Sequence, residues 1–140
     1  MPDQSTNQVD ERGQKIGMWT EADSHGGVMT GEYVAGERHG VWCHHFADGS
    51  MRSEVRYDKG VVDGAGTWYR SPGGLLQRGG FLDGEKHGLW ERWNADGNQI
   101  DQRTWDYGKK TGEWMSYNPD NTVKRTATHR TRTPGLMVSM

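Results

Sequence analysis

Tyr33, Tyr57, Phe81 and Trp105 stand 24 residues apart, and that interval governs most of what the chain can fold into. A glycine follows each aromatic three residues later, at Gly36, Gly60, Gly84 and Gly108. A second glycine comes four residues after the first, at Gly40, Gly64, Gly88 and Gly112. A turn column keeps the same step: Asp48-Gly49, Pro72-Gly73, Asp96-Gly97 and Asp120-Asn121. Four columns in one register describe a tandem array of one supersecondary unit, each copy packing on its neighbours. An earlier copy with Gly13, Gly17 and Trp19 runs one residue out of step.

Each unit reads as two short strands, because Asp-Gly between alternating runs signals a two-residue type I′ hairpin turn. A two-residue turn at Asp48-Gly49 predicts that Phe46 faces Met51, Trp42 faces Val55 and Gly40 faces Tyr57. The same rule sets Trp90 against Arg103, Gly88 against Trp105 and Gly64 against Phe81. In the last copy His129 takes the aromatic's place opposite Gly112, which ends the tract there. A glycine across from each column aromatic leaves room for the ring to lie over the neighbouring strand. The Trp column runs 19, 42, 68, 90 and 114, so Trp68 arrives two residues late, which reads as an insertion between Gly64 and Trp68. The expected fold is all-β: an elongated single-layer antiparallel meander of about five repeated β-hairpins. Residues 10–129 form the repeat domain, after a flexible N-terminus (1–9) and before a flexible basic C-terminal tail (130–140).

Composition fits a thin sheet. Leu, Ile, Val and Phe together number only 18 of 140 residues, while seven Trp and five Tyr supply aromatic surface in their place. Twenty-one glycines point to abundant turns. A net charge of −2 argues against a general nucleic-acid binder, whose footprint is a basic excess. Cys43 is the single cysteine and forms no intramolecular disulfide. With no apolar leader at the start and no long apolar run, the chain reads as cytoplasmic.

The unit "YVAGERHGVWCHHFADGSMRSEVRY" (residues 33–57) resembles the MORN repeat in its bacterial variant, aromatic-x-x-Gly-x-x-x-Gly-x-Trp followed by a turn. The resemblance covers roughly residues 10–129. It implies an elongated, curved sheet of successive hairpins. For function it implies scaffolding, membrane attachment or dimerisation, the roles of eukaryotic members, or the antitoxin label commonly given to bacterial ones.

The residues that catch the eye for chemistry have structural readings. His39 and His87 share a column with Asp63 and Thr111, which is polar turn chemistry ahead of a glycine. "WCHHF" places Cys43, His44 and His45 together, but strand alternation puts His44 on the Trp face and the other two opposite. No second half-site completes a tetrahedral zinc set, so no metal or cofactor is expected. No nucleophile elbow, Ser/His/Asp order or phosphate loop stands out, and the chain reads as a non-enzymatic protein-binding module. Its expected partner-binding set is Trp42, Phe46, Tyr57, Trp90, Arg92, Arg103 and Trp105, because Trp, Tyr and Arg dominate interface hot spots. The partner is another protein or a second copy of the chain. An antitoxin-like role is the narrower form drawn from the resemblance. The alternatives are an accessory or scaffold protein in an enzymatic assembly, and a peripheral phospholipid binder using the basic tail.

Overall fold

The computed structural model describes residues 6–130. They form eleven strands in chain order: β1 (Gln8–Val9), β2 (Lys15–Ala22), β3 (Val28–Val34), β4 (Glu37–His45), β5 (Met51–Asp58), β6 (Val61–Tyr69), β7 (Leu75–Leu82), β8 (Glu85–Trp93), β9 (Gln99–Asp106), β10 (Lys109–Tyr117) and β11 (Val123–His129). Each pairs antiparallel with the next, giving one open sheet in sequence order. The expected all-β meander is therefore present, and no helix occurs among the described residues. Gln8 and Val9, inside the segment set apart as a lead-in, already pair with β2. Of the C-terminal tail only Arg130 lies within the described residues.

Away from the turns the predicted register holds. Trp42 pairs with Val55 and Gly40 with Tyr57. Trp90 pairs with Arg103, Gly88 with Trp105, Gly64 with Phe81 and Gly112 with His129. The turns themselves differ from expectation. Phe46 donates its N–H to the carbonyl of Ser50 (2.8 Å), and Gly49 donates to Phe46 (2.9 Å). Phe46 thus faces Ser50 rather than Met51 across a three-residue loop, with Gly49 in the left-handed region (φ 90°). This is a type I turn followed by a left-handed residue, which uses Asp-Gly as readily as type I′ does. The extra loop residue is then taken up by a bulge. His45 pairs with Met51 but His44 with Ser53, leaving Arg52 over and returning the strands to the predicted register. In the β2–β3 hairpin a single register runs from Gly17↔Tyr33 to Ala22↔Val28, with no such bulge. The bulge residue is what the first copy lacks, and its absence explains the slip of one residue.

The two-residue type I′ turns lie instead between copies. Ala35-Gly36 and Lys59-Gly60 both have φ of 49° then 83°, and Asp83-Gly84 and Tyr107-Gly108 follow closely. The glycine N–H of each turn reaches back to the preceding copy. Gly60 donates to Arg38, Gly84 to Val62 and Gly108 to Lys86, at 2.8–2.9 Å. These bonds satisfy turn amides and tie copy to copy.

The ring-over-glycine device exists, but at other glycines. A Cβ added at Gly40 or Gly88 would meet open space; their φ of 75° and 86° is what requires glycine. A Cβ at Gly31 or Gly79 would instead run into the ring of Trp42 or Trp90. Nor is anything inserted before Trp68. Gly66, paired with Val55 and with Gly79, stands in the Trp column between Trp42 and Trp90. Trp68 pairs with Ser53 and is the counterpart of His44, which pairs with Ser53 from the other side. One copy has lost its column tryptophan and gained another two residues on.

The core is a single line of rings along one face. Tyr33 (8% exposed), Trp42 (4%) and Trp90 (4%) are its buried hydrophobic residues. Rings meet edge-on or tilted in three groups: Trp19–Tyr33–Trp42, Trp68–Phe81–Trp90 and Trp105–Trp114–His129, with centroids 4.8–6.1 Å apart. Such contacts contribute beyond area burial, and a one-layer sheet has no second layer to supply more.

Candidate functional site

Strand alternation sorts the sheet into a ring-bearing face and an opposite, plain face. On the ring-bearing face a column of cations runs beside the aromatics. Arg38 pairs with Tyr33, Lys86 with Phe81 and Lys110 with Trp105 across the short turns. Lys86 lies 4.8 Å from the Trp90 ring centroid and 5.0 Å from that of Trp105, so it bridges two ring groups. Arg38 lies likewise between Trp42 (4.3 Å) and Tyr57 (5.4 Å), the latter a ring outside those groups. Each such contact is worth about 0.5–2 kcal/mol, more as it is desolvated. The sequence signal was the 24-residue step from Arg38 to Lys86 and Lys110, broken by Val62 opposite Tyr57.

The residues expected to bind a partner fall into two groups. Trp90, Arg92, Arg103 and Trp105 come together on β8 and β9, and Trp42 and Tyr57 on β4 and β5. Phe46 sits apart at the loop end, with Arg52 5.5 Å from its ring. The two tryptophans are structural: at 4% exposure neither presents a surface. Arg92 donates through Nε to both oxygens of buried Asp101 (3.1 Å each), and Arg103 approaches the same carboxylate at 3.3 Å. Those guanidiniums neutralise a buried charge. Trp105 packs on Trp114 at 5.0 Å, and its buried Nε1 has no hydrogen-bond partner among the described residues.

A second polar cluster lies on this face, at the loop ends of β2, β4 and β5. His44 Nε2 and Asp23 Oδ2 are 2.6 Å apart. His44 first, then the amides of His25 and Gly27, hold the Asp23 carboxyl down at about 2. Ser53 is the cross-strand neighbour of His44, so Asp23, His44 and Ser53 lie in a row that the sequence reading missed. No hydrogen bond joins His44 to Ser53 among the described residues, and Ser53 is only 9% exposed. Cys43, on the plain face, pairs with Glu54, and burial followed by that carboxylate pushes its thiol pKa up. The two eye-catching histidines diverge in setting. His87 accepts the N–H of Tyr107 through Nδ1 (3.2 Å) and lies against the Tyr107 ring, as Asp63 accepts from Asp83 one copy earlier. No group of three potential metal ligands gathers among the described residues.

The plain face carries a different column at the same repeat step. Met18, Val41 and Leu89 are 47%, 51% and 48% exposed, and Ala65 between the last two is exposed as well. They occupy alternate strands β2, β4, β6 and β8. At about 4.8 Å per strand the column spans roughly 29 Å. Flanking it are Arg56 beside Val41, the Arg78–Glu91 ion pair (3.1 Å), and Thr104 beside Leu89.

No family model matches the chain, and no curated protein matches it. Among solved structures, one titled "Crystal Structure of TarM" superposes with a TM-score of 0.41 at 18% identity, over 66% of this chain and 18% of that one. The chain thus matches less than a fifth of that structure's length, a likeness too slight to bear on function.

Proposed function

We propose that this chain is a non-enzymatic protein-binding module whose contact surface is the plain face, centred on Met18, Val41, Ala65 and Leu89. The observation that carries the reading is that column: Met18, Val41 and Leu89 about half exposed, in line with exposed Ala65, on the face opposite the rings. Exposed apolar side chains set among polar ones, here Glu32 and Arg56 on the intervening strands, match the mixed composition of an interaction surface. The expected anchors on the other face are committed elsewhere, Trp42 and Trp90 to packing and Arg92 to Asp101. A repeat array suits the task, since the first four copies each place one apolar side chain at this position, and the last places Glu113 there. An antitoxin-like role, capping a partner protein, is the narrower form of this proposal and rests on the resemblance to the MORN repeat.

The test is affinity capture from native lysate with the wild-type chain and with Val41→Ser/Leu89→Ser. Both side chains are exposed, so each change should alter stability by no more than about 0.5 kcal/mol. Loss of a stoichiometric partner from the variant supports the proposal. Capture that survives the variant, or its loss only on changing ring-face residues, contradicts it.

A further inference from the structure

The repeat shows what belongs at a place where one copy has nothing. Trp42, Trp90 and Trp114 each donate Nε1–H to the carbonyl ten residues earlier: Glu32 (3.0 Å), Gly80 (2.9 Å) and Thr104 (2.9 Å). Each indole also packs on its column aromatic: Tyr33 at 4.9 Å, Phe81 at 5.1 Å and Trp105 at 5.0 Å. The fourth member of the column is Gly66. Val55 rules out the seating of Trp42 and Trp90, whose rings need a glycine beneath them, but Trp114 keeps its bond to Thr104 with Arg103 at that place. Seated as Trp114 is, an indole here would pack on Tyr57 beside Val55 and point its N–H at the carbonyl of Arg56.

That seat is a cavity of about 230 Å³, lined by Arg38, Trp42, Val55, Tyr57, Val62 and Phe81 among others. Trp68 does not fill it. Its ring turns the other way, over Gly66 and toward Phe81 (6.1 Å) and Trp90 (5.5 Å). Among the described residues Tyr57 is consequently the column aromatic with no ring packed against it; the Arg38 guanidinium lies 5.4 Å from its ring and donates to its hydroxyl at 3.3 Å. The copy differs in one further respect. Val62 stands where Arg38, Lys86 and Lys110 stand in the others, so no side-chain cation reaches in from across the turn.

We propose that this seat is a binding site for a planar, uncharged, indole-class ring carrying an N–H donor, taking the place of the chain's own missing tryptophan. Tyr57 supplies the stacking wall, Val55 and Val62 the apolar floor, and the Arg56 carbonyl the acceptor. Arg38 at the rim, with no carboxylate lining the cavity among the described residues, selects against a cationic ligand despite the aromatic walls. A free indole-type molecule and a tryptophan side chain on a peptide share this chemistry.

The test is a titration of the full chain with indole and with N-acetyl-tryptophanamide, followed by methyl NMR. Saturable shifts at the Val55 and Val62 methyls are expected. If indole binds, the ring alone is recognised and a free ligand suffices; if only the capped tryptophan binds, a peptide is the source. Gly66→Trp/Trp68→His gives this copy the Trp-x-His order of Trp42-Cys43-His44, fills the seat from within and should abolish binding. Tyr57→Ala, at a half-buried position, should abolish it independently should the double variant fold poorly. No saturable shift with either probe, shifts mapping elsewhere, shifts surviving in a folded variant, or preferential binding of tetramethylammonium would overturn the proposal.

Discussion

Gly79→Ala adds one methyl group to a face-inward position of β7, and the ring of Trp90 occupies that space. The new Cβ would overlap Cγ, Cδ2 and Cε2, the root and fused edge of the indole rather than its mobile far end. To restore a carbon–carbon separation of about 3.5–4.0 Å the ring must withdraw by more than ~1 Å. It has little freedom to do so. Trp90 is 4% exposed, its Nε1 holds the Gly80 carbonyl at 2.9 Å, and Phe81 packs against it at 5.1 Å. Overpacking of this kind costs about 1–3 kcal/mol, and losing the indole hydrogen bond adds about 1 kcal/mol. A destabilisation of about 2–4 kcal/mol follows, which for a chain this size lowers Tm by roughly 10 °C. Gly88→Ala is the matched control: its Cβ meets open space, but φ of 86° carries the left-handed cost of about 1–2 kcal/mol. Urea titrations followed by tryptophan fluorescence measure both. Gly79→Ala within about 0.5 kcal/mol of wild type, or less damaging than Gly88→Ala, would refute the placement of Trp90 over the neighbouring strand.

Ala35 opens a type I′ turn at φ 49°, so Ala35→Gly relieves left-handed strain and should stabilise by up to about 1 kcal/mol, read from the denaturation midpoint. Lys86→Met keeps the stem but removes the charge between Trp90 and Trp105; thermal melts should show a loss of about 1 kcal/mol. The Asp23 carboxyl is depressed to about 2 from an ordinary 3.8, so its stabilisation is complete above the ordinary value and lost as pH falls through 2. Asp23→Asn should flatten part of the stability loss in that window. Other lowered carboxyls share the rest: Asp48 and Asp120, held down by Ser50 and Thr122, and Glu21, which burial raises but its bonds to Lys15 and Tyr33 bring below its ordinary value. An unchanged acid limb would contradict the His44–Asp23 bond.

The 24-residue columns made the sheet, its strand order and most cross-strand pairs legible, because alternation punishes any slip of one residue. The turns were misread for a physical reason. Asp-Gly serves both the two-residue turn and the longer loop, and the bulge at Arg52 cancels the difference three residues away. The pairings of Trp42 and Gly40 therefore came out correctly from a turn of the wrong length. Tryptophan burial was hidden because it depends on a glycine in the previous strand: Gly31 precedes Trp42, and Gly79 precedes Trp90, by eleven residues. That spacing was available as a signal and separates a ring laid flat from one left at the surface. Gly66 shows the converse, since a glycine in the Trp column looked like an insertion until its strand partners, Val55 and Gly79, placed it. The Asp23–His44–Ser53 row joins the β2–β3 loop to β4 and β5 and follows no sequence spacing that marks it.

On the proposed reading, the plain face is the one that meets a partner. A photo-crosslinking amino acid placed at Ala65, exposed in the middle of the column, tests it most directly against the same probe at Lys110, exposed at the far end of the ring-bearing face. Irradiation in native lysate should join a defined protein to the Ala65 probe, abolished by Val41→Ser/Leu89→Ser, with none joined to the Lys110 probe. A protein joined through Lys110 and not through Ala65 would contradict the claim and return the contact surface to the ring-bearing face.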